Sequence, residues 1–321
     1  MSELSLSIII CTRNRVDWLC TAMDSVLQQD FDSQHYELLI VDGSSTDRTR
    51  EMVISRSRQH PNVRYLSCSQ PGLPRARVFG ANHAQGQFIG YLDDDAKACS
   101  DWLSIAWTIA REHAPICFGG PFYPFYISPR PSWFRDEYGS VTHGNEPRWL
   151  RHDEFLCGGN IFFSREALRS VGGFDADFWQ PGDRFAYGEE GVPQVRLRQK
   201  FPDQAFFYHP QLYILHLVRP DGLKLSQLAR ECFARGRSYV KLMGVNTRDP
   251  RVFPYVWRFA LSYVRFWFKA LVAVWLRDRR RFERPQNYVY ESAFQELRGA
   301  GIFYQSILAI QKYKRGISAL F

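Results

Sequence analysis

The residues Phe88-Ile89-Gly90-Tyr91-Leu92-Asp93-Asp94-Asp95 decide how this chain is read. An apolar, β-prone run ends abruptly in three consecutive carboxylates. Packing gives no reason for that, because like charges repel and each loses hydration when covered. Three Asp at the C-terminal edge of a buried strand point to a bound cation, a hard one such as Mg2+ or Mn2+ that takes oxygen ligands. A solvated Asp-rich turn is the competing reading, and the neighbouring sequence has to separate the two.

Upstream, hydrophobic runs alternate with helical patterns. Leu6-Ser7-Ile8-Ile9-Ile10-Cys11, Tyr36-Glu37-Leu38-Leu39-Ile40-Val41 and Val63-Arg64-Tyr65-Leu66 have the pattern of strands covered on both faces. Between them, 17–29 places Trp18, Leu19, Ala22, Met23, Val26 and Leu27 at helical spacing. The turn Asp42-Gly43-Ser44-Ser45-Thr46-Asp47 caps a second helix over 48–59. A third helix covers 74–84, with Pro74 in its first turn and Gly86 behind it. This alternation predicts an α/β fold, a mostly parallel sheet with helices on both faces. Ligands of such sheets bind outside the C-terminal strand ends. Topology alone therefore brings Thr12 to Arg15, Asp42 to Ser44 and Asp93 to Asp95 onto one rim.

From 115 to 154 the periodicity fades into an aromatic, Pro-rich stretch, Phe122 to Pro131, read as a lid or acceptor-side loop. Beyond it we expect a strand over 161–164, a helix over 165–171, a helix opened by Gly188-Glu189-Glu190-Gly191 and ending at Gln199, and edge strands over 205–217. No internal repeat is present.

The chain has 321 residues, 45% of them hydrophobic and 16% aromatic, which argues a folded globule. Seven scattered cysteines without a CxxC point to a reducing compartment and against a disulfide framework or zinc cage. Met1-Ser2-Glu3-Leu4 lacks the basic start of a signal peptide, so a cytoplasmic location is expected. The net charge of +8 suggests nucleic acid until it is located. Nine Arg or Lys and two acids lie between Arg251 and Arg284, and the rest of the chain is nearly neutral. Basicity belongs to that segment, and nucleic acid is not expected as a partner.

Taken in order, Cys11-Thr12-Arg13-Asn14-Arg15, Ile40 to Asp47, Gly72-Leu73-Pro74-Arg75-Ala76-Arg77, Gly86 to Asp95, Cys157-Gly158-Gly159-Asn160, Gly172-Gly173-Phe174-Asp175, Gly188-Glu189-Glu190 and His216 resemble a family 2 glycosyltransferase. The resemblance covers roughly Leu6 to Gly244 and implies a GT-A, Rossmann-like sheet and an inverting reaction of a nucleotide-diphosphate sugar, foremost a UDP-sugar. It implies that Asp93 and Asp95 are the ends of a DxD motif. Asp95 is then the direct metal ligand, Asp93 lies nearer the ribose or the metal's waters, and Asp94 is the replaceable middle residue. His216 matches a C-terminal metal ligand, and imidazole suits Mn2+ better than Mg2+; a structural strand histidine is the alternative. Asp42 would accept from a uracil-like base edge, or form a turn with Gly43. Thr12 and Arg13 would line the same pocket. Arg77 would bind phosphate, with Arg75 able to share the work, and Val78 stands where the family has Asn. Gly158, Gly159 and Asn160 would lie on the acceptor side, and Asp175 is structural.

Inversion needs a carboxylate to take the acceptor's proton. By resemblance Glu190 holds that position, as Glu where the family has Asp, with Glu189 in reserve. Two Glu at a helix N-terminus also suit the macrodipole with no catalytic role. A non-catalytic GT-A-like binding or scaffold subunit is the first alternative. A sugar nucleotidyltransferase is the second, although Cys11-Thr12-Arg13-Asn14 lacks its Gly-rich, Lys-containing phosphate loop.

The segment Pro254 to Leu276 is apolar and aromatic apart from a stripe of Arg258, Ser262, Arg265 and Lys269. It suits either a protein interface, including a homodimer, or a monotopic helix at the inner face of the cell membrane with its cations toward headgroups, aided by Arg277 to Arg284. Two domains are expected, 1–244 and a helical extension over 245–321. The acceptor expected is a saccharide or lipid-linked glycan.

Overall fold

The computed structural model describes residues 4–178, 187–244 and 253–318. Met1 to Glu3, and Arg251 of the basic segment, lie outside them. The first half alternates as expected: β1 (Leu6–Thr12), α1 (Val16–Leu27), β2 (Tyr36–Asp42), α2 (Thr49–Gln59), β3 (Val63–Ser67), α3 (Leu73–His83) and β4 (Phe88–Leu92). Next come β5 (Ala96–Ala98), α4 (Trp102–His113), β6 (Cys117–Gly119), β7 (Phe122–Phe125), β8 (Arg148–Trp149), β9 (Asn160–Ser164), α5 (Arg165–Ser170), α6 (Gly191–Lys200), β10 (Phe207–Tyr208) and β11 (Ile214–Leu217). The chain ends in α7 (Leu225–Met243), α8 (Phe253–Leu271), α9 (Ala273–Leu276), α10 (Pro285–Tyr288) and α11 (Phe294–Ser318).

The main sheet has the order β3-β2-β1-β4-β9-β6-β10-β8. It is parallel from β3 to β4, then antiparallel where β9 enters. Every residue of β2 is buried, as a strand covered on both faces requires. Helix α4 was not read from the sequence, although Trp102, Leu103, Ala106, Ile109 and Ala110 bury one face of it. Its signal was masked by the acidic turn just ahead. The stretch read as a loop also supplies strands: β7 joins β5 and β11 in a second, three-stranded sheet.

Two compact units emerge. The first comprises 4–125, 136–178 and 189–217, and the second 126–135, 187–188, 218–244 and 253–318. Helix α7, expected in the first domain, belongs to the second unit, where it packs along α11. The backbones touch there: a Cβ on Gly236 would collide with the Arg298 carbonyl, and one on Gly301 with the Phe233 carbonyl.

The segment expected as one helix over 254–276 breaks at Val272 between α8 and α9. Its polar stripe is only partly covered: Arg258 and Arg265 are exposed, while Ser262 and Lys269 turn toward α11. Lys269 Nζ donates to Glu296 Oε1 at 2.6 Å, Ser262 is buried, and the Arg258 guanidinium lies over the Phe303 ring. The partner on α11 explains the covered part, since a half-buried cation such as Lys269 is stable when paired.

Replacing Gly301 by Ala should therefore destabilise the second unit by about 1–3 kcal/mol, the usual cost of overpacking. At Gly299 a Cβ meets only ordinary contact, with Ser262 Oγ at 3.5 Å. Gly299→Ala should leave the calorimetric transition in place, and equal effects of the two variants would refute the backbone contact.

Candidate active site

The strand ends of the first unit form the expected rim. Thr12 and Asp42 are paired residues of β1 and β2, and Asp93 follows the last residue of β4. Strand β11 runs antiparallel to β5, setting His216 opposite Ala96 and so beside Asp95. The Leu217 N–H donates to the Asp95 carbonyl at 3.0 Å and fixes that register. One ligand atom each from Asp93, Asp95 and His216 lies within 4.8 Å of the others. His216 Nε2 is 3.4 Å from Asp95 Oδ1 and 3.6 Å from Asp93 Oδ2. Two carboxylates and one imidazole form a donor set that suits Mn2+ or Mg2+. Burial pushes the Asp93 carboxyl up, but the His216 hydrogen bond and the Arg77 charge bring it below the usual range.

Asp94 corrects an expectation. Far from being a replaceable middle residue, it is buried, accepting from Thr12 Oγ1 at 2.8 Å and from Arg15 Nη1 at 2.9 Å. The Thr12 hydroxyl is committed to this bond. Arg15 had no role in the sequence reading, although it stands on the rim. Arg13 is exposed beside Gly43. Asp42 is buried, with Oδ1 accepting the Ser45 N–H at 2.8 Å and Oδ2 the Tyr65 hydroxyl at 2.7 Å. The first bond is the turn read as its alternative role.

Arg77 lies at the centre. Its Nη2 is 3.4 Å from Asp93 Oδ1 and 3.3 Å from the Gly158 carbonyl, and its Nη1 is 3.2 Å from Glu189 Oε1. Burial disfavours its charge, but Glu189, then Asp93 and Glu190, outweigh that and raise its pKa. Nη1 is buried without a well-directed hydrogen bond. Arg75 cannot share this work: residues two apart on a helix do not share a face, and Arg75 pairs with Asp177 at 2.7 Å.

The glycine pair meets close neighbours within the site. A Cβ on Gly158 would sit 2.6 Å from Arg77 Nη1 and 2.9 Å from Glu190 Cβ, and one on Gly159 would collide with the Asp93 carboxylate. The glycines make room for site side chains. Asn160, expected on the acceptor side, is fully buried and structural. Its Oδ1 accepts from Trp102 Nε1 at 2.9 Å, while Nδ2 donates to the carbonyls of Pro121 at 3.0 Å and Leu212 at 2.6 Å.

Glu189 and Glu190 differ in environment. Glu189 is buried against Arg77. Burial, then the Glu189 charge, pushes the Glu190 carboxyl up to about 7 despite Arg77. A carboxyl held near neutrality suits a general base.

The chain is similar to known proteins. A glucosyl-dolichyl phosphate glucuronosyltransferase of Haloferax volcanii is 23% identical over 243 residues, covering 73% of this chain and 76% of the relative. A GalNAc(5)-diNAcBac-PP-undecaprenol beta-1,3-glucosyltransferase of Campylobacter jejuni is 25% identical over 232 residues, covering 68% and 67%. The structure of a mannosyltransferase from Pyrobaculum calidifontis, in complex with GDP-Man and Mn2+, superposes with a TM-score of 0.55 at 17% identity, covering 98% of this chain and 79% of that one. The shared fold is GT-A. Residues 7–172, just over half of the chain, match the model of glycosyl transferase family 2, and the chain belongs to that family of glycosyltransferases.

Proposed function

We propose that the protein is a metal-dependent inverting glycosyltransferase, moving a sugar from a nucleotide-diphosphate sugar to a hydroxyl of a lipid-linked or polysaccharide glycan. The observation that carries this reading is Arg77, which touches both Asp93 of the acidic triad and Glu189 beside the raised Glu190. Asp93, Asp95 and His216 would hold a divalent cation, which supplies Lewis-acid stabilisation of the leaving diphosphate. Arg77, with a buried donor to spare, would bind a diphosphate oxygen. Glu190 would take the proton of the acceptor hydroxyl as its oxygen attacks the anomeric carbon. The bond from that carbon to the diphosphate breaks on the opposite face, so the configuration inverts.

A uridine diphosphate sugar is the donor proposed, because Asp42 stands on the rim and each of its oxygens keeps a lone pair for a base N–H. Names of the two relatives, built on dolichyl phosphate and undecaprenol, support a lipid-linked acceptor. Mn2+ is favoured over Mg2+ by the imidazole and by the mannosyltransferase complex. The 254–284 segment would bring the enzyme to the inner face of the cell membrane.

Glu190→Gln should lower kcat by about 10^2- to 10^4-fold, while wild-type kcat rises with pH through about 7; a flat profile or an active Gln variant would defeat the base assignment. The same carboxyl affects stability. Its folded pKa lies above the ordinary 4.5, so folding loses stability as pH rises from about 4.5 to about 7. At pH 8 the Gln variant should therefore melt above wild type, and below pH 4.5 the two should coincide.

Asp95→Ala should abolish the thermal shift given by Mn2+ together with turnover. Asp94→Ala should keep the Mn2+ shift but cost about 1–3 kcal/mol, since it unmakes two bonds to a buried carboxylate whose Arg15 partner is partly solvated. An Asp94→Ala protein blind to Mn2+ would place the metal ligands one residue away.

A further inference from the structure

Ser262 and Lys269 turn the polar side of α8 toward α11, and the opposite face, presented to solvent, is entirely apolar. Phe253, Trp257, Val264, Trp267, Phe268 and Leu271 fall on an arc of roughly 100° at about 100° per residue, opposite buried Ser262. Their exposures are large: 78% for Phe253, 62% for Trp257, 57% for Trp267 and 70% for Leu271. Trp275 of α9 continues the surface at 79%. Exposed aromatic residues in such a continuous run mark an interaction surface.

Its borders are cationic. Arg265 is exposed on the flank of α8, and Arg279, Arg280, Arg281 and Arg284 are exposed just beyond α9. No described helix is long and apolar enough to cross a membrane. The element therefore has the features of a helix lying in the plane of a bilayer surface: an apolar face rich in Trp and Phe, with flanking cations. Charge selects the occupant. A second copy would bring two arginine clusters together, whereas anionic headgroups complement them.

We infer that the Phe253-to-Leu271 face of α8, continued by Trp275, inserts into the surface of a bilayer containing anionic lipid, with Arg265 and the Arg279-to-Arg284 cluster on headgroup phosphates. This rests on the membrane placement proposed for 254–284 and narrows its cations: Lys269 pairs with Glu296 and Arg258 lies over Phe303, which leaves the headgroups to Arg265 and the 279–284 cluster. The ligand chemistry is a phosphate-bearing apolar surface, not a free phosphate.

The full chain should float with phosphatidylcholine vesicles that include phosphatidylglycerol, with a blue shift of tryptophan emission. Flotation should weaken with added salt. Trp257→Ser with Trp267→Ser should abolish flotation while circular dichroism is unchanged. Arg279→Ala with Arg280→Ala should weaken binding about thirtyfold, the loss expected for two surface cations. Free inorganic phosphate should not compete. Failure to float with the anionic vesicles would overturn the inference. So would a dimer in sedimentation that the double Trp variant dissociates, because a second copy would then cover the face. Flotation requires no turnover, so its failure is distinct from failure of the transferase reading.

Discussion

A guanidinium buried among carboxylates is the constraint around which the first unit's rim is built. Arg77 has its charge out of water, and Asp93, Glu189 and the Gly158 carbonyl compensate that cost. Removing any one of them strands a charge, so α3, the end of β4, the glycine turn and the start of α6 are tied to one another. The absence of side chains at Gly158 and Gly159 follows, because a methyl group at either would occupy the space of Arg77 or Asp93. The raised affinity of Glu190 for a proton also follows: Glu189 stands next to it, with its charge held by the same arginine.

A second arginine organises the other side of the acidic turn. Arg15 and Thr12 hold Asp94 and thereby aim its two neighbours. Successive Asp side chains cannot share one direction, so fixing the middle one leaves Asp93 and Asp95 to turn toward His216. The triple carboxylate is one anchoring residue between two that gather at the imidazole. The price of this polar cluster is acceptable only because every one of these carboxylates has a partner.

Much of this was legible in the sequence, for identifiable reasons. The buried strands and the rim could be read because β-branched runs and polar turns alternate regularly up to Asp95. The triad could be read because DxD and His216 stand in an ordered series of motifs. Asn160 could not, since its place beside a glycine pair resembles a binding position while its hydrogen bonds go to Trp102 and two backbone carbonyls distant in sequence. Asp94 was misjudged because its partners Thr12 and Arg15 are about eighty positions away. The direction of the stripe on α8 was missed for the same reason: periodicity shows that a helix has two faces, and only Glu296 and Phe303 decide which one is covered.

The proposed base role of Glu190 requires that burial beside a paired carboxylate keep its carboxyl near neutrality. Its most direct measurement is the titration of the Glu190 side-chain carbon by 13C NMR, assigned by comparison with Glu190→Gln. The midpoint should lie near 7, above the ordinary 4.5, and should move upward in Arg77→Met, which removes the opposing positive charge. A midpoint in the ordinary carboxylate range, or one indifferent to Arg77, would contradict it.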